Sequence, residues 1–236
     1  MVTKMAKNKE EHEHDHDHEH DQEERAVSTN AQKGAGKRRV FLFGRLENEV
    51  ALPVIKRLLK LNDKDPKEPI DLIINSAGGN GYNADAIIAT MYQITAPVNT
   101  ICYGHALSGA CEILASGTGK RSSYEFATLM FHQTLWEADG DITNLEIQAK
   151  QGQKFREAQI ELLSRCTGQD KKILRKDIER DHYMSSHEAL EYGIIDEIIK
   201  HKRNGRGAAA IKSDTVVKSG KNTNHRGKSA AGGSRR

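Results

Sequence analysis

Short, strongly apolar runs that end at a glycine recur along the middle of this chain. The densest run, residues 70–75, is rich in isoleucine and leads into the glycine-rich turn 76–81. Such a run is typical of a strand that is buried on both faces of a sheet. Comparable runs end at Gly44 and Gly104. Because segments with helical spacing of apolar residues follow these runs, the pattern predicts an α/β fold with a mainly parallel sheet.

The same pattern gives approximate bounds for the elements. Strands are expected at residues 39–44, 70–75, 98–103, 127–131 and 194–199. Helices are expected at residues 47–61, 84–94, 108–115, 143–166, 170–179 and 186–192. The helix at 143–166 is long and amphipathic, with Gly152 inside it and Gly168 placed to end it.

Charge divides the chain into three segments. Residues 1–36 hold 5 basic and 9 acidic residues, whereas residues 201–236 hold 10 basic residues and one acid. Nearly all apolar residues lie in residues 37–200, whose net charge is −2. We therefore expect a folded domain at 37–200 between a disordered, His- and acid-rich N-terminal tail and a disordered basic C-terminal tail. A near-neutral domain argues against nucleic-acid binding.

Other classes of protein are excluded on composition. No apolar run approaches the roughly 18–20 residues that span a bilayer, and the N-terminus lacks the apolar stretch of a secretory signal. Three cysteines fit a reducing compartment, so we expect a cytoplasmic protein. Five histidines alternate with acids in residues 12–20, a pattern that can buffer metal weakly. We expect this tail to be solvated, with no metal site and no cofactor.

Two turns could carry chemistry. Ser108 stands between a strand and a helix, where backbone N–H groups favour a developing anion. Gly78 and Gly79 end the preceding strand and would lie beside it at the carboxyl edge of a parallel sheet. Each feature also has a plainer explanation, because serine is a common helix N-cap and Gly-Gly is a common tight turn.

His132 follows an apolar strand and could reach a nucleophile on the neighbouring strand end as a general base. A histidine at this place is also often structural. Such a base needs an orienting carboxylate, and Asp177, Glu179 and Asp181 are all candidates. The spacing does not choose among the three acids.

Five stretches give residues 39–200 a family likeness. They are LIINSAGG (72–79), TICYGHALS (100–108), MFHQ (130–133), ERDHYMS (179–185) and EALEYGIID (188–196). In this order and spacing they resemble the proteolytic subunit of the Clp protease, ClpP, a self-compartmentalised serine peptidase. The resemblance implies a ClpP/crotonase-like superhelical stack of β-α-β units with a protruding long helix.

The resemblance also implies roles for individual residues. Ser108 would be the nucleophile, His132 the base and Asp181 the orienting acid. The oxyanion donors would be the N–H groups of Gly78 and Gly109. The substrate would be flanked by Gly79, Asn80 and Leu135, and the ring contact would involve Glu179 and Arg180.

By the same resemblance, the chain would hydrolyse unfolded polypeptides inside a homo-oligomer of two stacked heptameric rings, fed by a Clp-type AAA+ ATPase. The sequence departs from the family pattern in four places. Ala77 and Thr134 replace prolines, Gly109 replaces a methionine, and the stretch from Ser108 to His132 is one residue short. The family's N-terminal axial loop also has no counterpart.

These departures leave three alternatives open. One is a weakly active or inactive ring subunit. Another is an ATPase-independent or phage-type ClpP-like protease. The last is an acyl-CoA enzyme of the wider crotonase-like fold, against which the intact Ser-His-Asp set argues.

Overall fold

The structure is a computed structural model that describes residues 38–200. The strands are β1 (Arg39–Phe43), β2 (Ile70–Ser76), β3 (Val98–Leu107), β4 (Arg121–Tyr124), β5 (Thr128–Phe131), β6 (His182–Ser185) and β7 (Glu197–Ile199). The helices are α1 (Asn48–Lys64), α2 (Gly81–Gln93), α3 (Gly109–Ala115), α4 (Ile142–Thr167), α5 (Lys171–Asp177) and α6 (Ser186–Tyr192). The predicted tails, including the His-rich segment, lie outside the described residues, so the three-part domain division stays a prediction.

The strands form one sheet in which parallel pairing dominates, as the sequence predicted. Its main path runs β1-β2-β3-β4-β7, and β5 joins it through β3. The long β3 pairs with β4 through residues 100–102 and with β5 through residues 105–107, both in parallel. Only β6 runs antiparallel among the pairs with a described register, against β5. The branch at β3 brings the ends of β3 and β5 together.

The core lies between the sheet and the helices that pack on it. Strand β2 is buried along most of its length, which explains its continuous apolar sequence. Every residue of α3 is buried, so this short helix passes through the interior. In α4, by contrast, the buried residues Gln159, Ile160 and Leu163 all lie in the C-terminal half.

The ends of α4 follow ordinary capping chemistry. Asp141 caps the N-terminus by accepting a bond from the Asn144 N–H at 2.9 Å. Gly168 closes the C-terminus with a φ of 77°, as predicted. Gly152 has a packing reason to lack a side chain, because a Cβ there would lie 2.9 Å from Trp136 Cγ. Within residues 38–200, none of the helices has the length and apolarity to cross a membrane.

Several predicted bounds were wrong. Strand β3 continues four residues beyond the predicted end at 103, and the last strand is only Glu197–Ile199. Ile194 and Ile195 are buried but lie in the turn before β7. Strands β4 and β6 were not predicted, because neither has an apolar run.

Candidate active site

Ser108 lies at the junction of β3 and α3 in a strained backbone conformation. Its φ is 54° and its ψ is −129°, and no other non-glycine residue between 38 and 200 has a positive φ. Its N–H donates to the Met130 carbonyl at 2.7 Å, which ties the turn to β5. Its side chain makes no capping bond to α3, so the N-cap explanation does not account for the hydroxyl. Strain of this kind is typical of functional turns.

The Ser108 hydroxyl instead contacts His132. The distance from His132 Nε2 to Ser108 Oγ is 2.9 Å. On the other side of the ring, His132 Nδ1 lies 3.1 Å from Asp181 Oδ1. The His132 side chain is 17% exposed and that of Asp181 is 54% exposed. This geometry suits a hydroxyl, a base and an orienting carboxylate arranged in series.

The other two candidate acids lie elsewhere. The Asp177 carboxylate accepts a bond of 2.8 Å from the Tyr192 hydroxyl. Burial and the Asp177 carboxylate together raise the pKa of Tyr192. Glu179 is exposed at the surface. Among the three acids, the structure brings only Asp181 to His132.

Gly78 packs directly against the Ser108 turn. Its φ is 79°, and a Cβ at this position would lie 2.5 Å from the Leu107 carbonyl oxygen and 3.1 Å from the Gly109 N. The Gly78 N–H donates to Ser76 Oγ at 3.1 Å. Gly109 is the first residue of α3, so its N–H has no partner within the helix. The two predicted oxyanion donors are therefore adjacent, and the N–H of Gly78 is already hydrogen-bonded to Ser76.

Gly109 is tightly packed, which bears on its departure from the family pattern. A Cβ there would lie 3.0 Å from Ala84 Cβ and 3.2 Å from Leu46 Cδ1. Any side chain after Ser108 would therefore require Ala84 or Leu46 to shift by a few tenths of an ångström.

Two of the three predicted substrate-flanking residues, Gly79 and Asn80, border the same edge. Leu46 donates to the Gly78 carbonyl at 3.0 Å and accepts from the Asn80 N–H at 3.2 Å. In such a ladder, the N–H and C=O of the intervening Gly79 face away from Leu46. The Asn80 side chain caps α2 by accepting from the N–H groups of Tyr82 and Asn83. Leu135 is exposed in the segment between β5 and α4.

Hydrogen bonds from Gln133, two residues after β5, hold the segment that carries Asp181. Gln133 N–H donates to the Ile178 carbonyl at 2.6 Å, and Gln133 Nε2 donates to the Glu179 carbonyl at 3.3 Å. The side chains of Glu179 and Arg180 are exposed. Gln133 thus links the strand end that carries His132 to the loop that carries Asp181. Sequence reasoning assigned it no role.

A buried polar pair beside the site was also missed. Glu112 on α3 accepts a bond of 2.5 Å from Gln159 Nε2 on α4. Burial raises the pKa of Glu112 to about 7, although the bond from Gln159 opposes that rise. The signal in the sequence was one glutamate in the otherwise small and apolar segment 109–115. Within residues 38–200, no three His, Cys, Asp or Glu side chains are grouped to hold a metal ion.

Comparisons with known proteins point to one family. The Clp protease family model matches residues 21–202. The chain is 39% identical over 175 residues to the ATP-dependent Clp protease proteolytic subunit 2 of Frankia casuarinae, covering 74% of this chain and 81% of the relative. It is 35% identical over 189 residues to the ATP-dependent Clp protease proteolytic subunit of Deinococcus radiodurans, covering 75% and 93%. The chain therefore belongs to the Clp protease family, as a serine-type peptidase subunit.

Proposed function

We propose that Ser108, His132 and Asp181 form the catalytic triad with which this subunit hydrolyses peptide bonds of unfolded proteins. The observation that carries the proposal is the series of contacts from the strained Ser108, hydrogen-bonded to His132, to Asp181, which lies 3.1 Å from the other ring nitrogen. A serine hydroxyl is a weak nucleophile at its ordinary pKa and needs an adjacent base. The 2.9 Å contact supplies that base.

The proposed reaction has two steps. In the first, His132 Nε2 takes the Ser108 proton while Oγ attacks the substrate carbonyl carbon. The N–H groups of Gly78 and Gly109 stabilise the oxyanion, and His132 then protonates the leaving amine as the C–N bond breaks. In the second, His132 takes a proton from water, the resulting hydroxide attacks the acyl-enzyme, and His132 returns the proton to Ser108.

The edge at Gly79 suits an extended substrate. A polypeptide strand can add to exposed backbone N–H and C=O groups without regard to its side-chain sequence. The outward-facing backbone of Gly79 offers such groups, and Asn80 borders the same edge. Leu135 is exposed and is proposed to contact the substrate as well. This mode of binding requires an unfolded chain, because a folded one has no free strand to offer.

Members of this family generally form oligomeric rings and work with Clp ATPases. For this subunit we propose two stacked heptameric rings in contact through α4, Glu179 and Arg180. Ile142 and Ile147 are exposed in the N-terminal half of α4, which a partner ring would cover. Both relatives are named ATP-dependent, and we propose the same dependence on an AAA+ ATPase here. Three free cysteines accord with a cytoplasmic location.

One observation favours a second candidate, a ring subunit of weak activity. The Gly78 N–H is bonded to Ser76 Oγ, so a substrate oxyanion could receive it only if that bond opens or is shared. Loss of one such donor typically lowers the rate about 10²–10³-fold. Ala77, in place of the family's proline, gives this turn more backbone freedom to change.

The test is hydrolysis of a fluorescently labelled, permanently unfolded protein by the full chain, with and without a Clp ATPase and ATP. The proposal expects cleavage that Ser108→Ala abolishes. The weakly active candidate expects slow cleavage that the ATPase does not raise. Cleavage that persists in Ser108→Ala would contradict both.

A further inference from the structure

Gln159 is a buried amide that contacts the backbone on both sides of Gln133. The residue is 4% exposed, although α4 is exposed along most of its length. Nε2 donates to the His132 carbonyl at 2.9 Å. Oε1 accepts from the Thr134 N–H at 3.3 Å. One side chain from α4 thus supplies partners for the His132 carbonyl and the Thr134 N–H just beyond the end of β5.

Glu112 fixes the direction in which that amide points. Glu112 is 7% exposed, and its carboxylate accepts from the same Nε2 at 2.5 Å. The ionised carboxylate only accepts, so it selects the same orientation as the His132 carbonyl, with the NH2 group toward Glu112 and His132. Glu112 lies four residues after Ser108, and its N–H donates to the Ser108 carbonyl at 3.3 Å. Glu112 and Gln159 together therefore connect α3, the helix after Ser108, to the backbone of His132.

We propose that Gln159 is a positioning residue for His132, oriented by Glu112. The proposal rests on the proposed function, because it assigns a purpose to holding His132 against Ser108. The His132 ring is aimed by its own backbone, and that backbone is held by Gln159 where the β5 pairing has ended. A displacement of α4 relative to α3 would therefore also move the His132 backbone, and with it the imidazole ring.

The competing explanation is that Glu112 and Gln159 only satisfy each other in the core. A buried polar pair can be replaced by apolar residues of similar volume with little loss of stability, whereas removal of one partner leaves the other unsatisfied. The double variant Glu112→Leu/Gln159→Leu therefore separates the two explanations. It removes the contacts to the His132 segment without leaving a lone buried carboxylate.

The experiment compares wild type with this double variant in the assembled full chain. We expect a lowered melting temperature, because the His132 carbonyl and the Thr134 N–H lose a partner. We also expect a kcat lowered about 10- to 100-fold and a nearly unchanged KM, because misplacement of a catalytic group acts on the chemical step. The control is Ser186→Ala, which removes a buried 3.0 Å contact to Ser123 away from the site. It is expected to lower the melting temperature and leave kcat unchanged.

Hydrogen exchange supplies a readout that does not depend on Ser108. Peptides covering residues 132–136 are expected to exchange faster in the double variant, because the Thr134 N–H loses its partner. Wild-type exchange with wild-type kcat would overturn the proposal. If the wild-type chain cleaves nothing, the proposed function fails, and the exchange of residues 132–136 still decides whether Gln159 holds this segment.

Discussion

The Asp181 carboxylate lies 3.1 Å from His132 Nδ1, on the side of the ring opposite Ser108. A carboxylate in this position holds the imidazole in the tautomer whose Nε2 can accept a proton and stabilises the imidazolium that results. Asp181 is also half exposed, so its contribution depends on how firmly the loop from Ile178 is held.

Asp181→Asn is expected to lower kcat about 10²–10⁴-fold with KM nearly unchanged, because an amide does not enforce the productive tautomer. The matched control is Asp177→Asn, four residues earlier, whose carboxylate contacts Tyr192. It is expected to keep wild-type kcat. Steady-state hydrolysis of a short fluorogenic peptide measures both, and equal losses in the two variants would contradict the assignment of Asp181.

Gly78→Ala is expected to abolish peptidase activity in a folded protein. Its Cβ would meet the Leu107 carbonyl oxygen and Ser108 Cβ, within the proposed oxyanion site. Gly168→Ala is a control with nearly the same backbone conformation, since the two φ angles are 79° and 77° and a Cβ at Gly168 would meet nothing within 4 Å. Both variants carry a strain of about 1–2 kcal/mol, but only Gly78→Ala should lose activity. Activity in Gly78→Ala near that of Gly168→Ala would exclude Gly78 from the site.

Glu112→Gln is expected to change how stability depends on pH. Burial raises the pKa of Glu112 from 4.5 to about 7, so the folded chain retains a proton over an interval in which the unfolded chain has lost it. The wild type therefore loses stability as the pH rises through that interval, and the loss levels off above it. The glutamine cannot titrate. The melting temperature of the variant minus that of wild type should therefore increase from about pH 5 to about pH 8. Parallel curves over this range would show that Glu112 does not titrate with a raised pKa.

Arg121→Met is expected to destabilise the fold by roughly 2–4 kcal/mol. Its Nη1 donates to the carbonyls of Ala115, Cys166 and Gly193, and so joins the C-terminal ends of three helices. The same guanidinium contacts Asp196, where burial would raise the pKa of the carboxylate but the bonds from Arg121 lower it.

The control for Arg121→Met is Arg165→Met, which removes an exposed pair with Glu161. It should cost less than about 1 kcal/mol. Urea unfolding of the two variants beside wild type makes the comparison. Equal losses would mean that the three helix ends do not depend on Arg121.

Much of the fold was predictable because its strands are continuously apolar and its turns are glycine-rich. Strand β4 was not predictable, because its sequence, Arg-Ser-Ser-Tyr, contains no apolar run. Ser122 and Ser123 are buried there only because Glu197 and Ser186, distant in sequence, satisfy their hydroxyls. A local pattern holds no information about such partners.

The same limit applies to the candidate site. Asp177 and Asp181 both belong to one polar stretch of sequence, and local spacing could not separate them. Their tertiary contacts separate them, because Asp177 contacts Tyr192 whereas Asp181 contacts His132. The buried Glu112–Gln159 contact likewise joins residues from two helices that are distant in sequence.

The central claim is that Ser108 is an activated nucleophile, and reaction with a fluorophosphonate tests it most directly. Intact mass and peptide mapping of the assembled full chain are compared with those of Ser108→Ala. The account predicts one adduct per chain, located on Ser108 and absent from the variant. A folded, assembled wild-type protein that forms no adduct, or forms it elsewhere, would contradict the account.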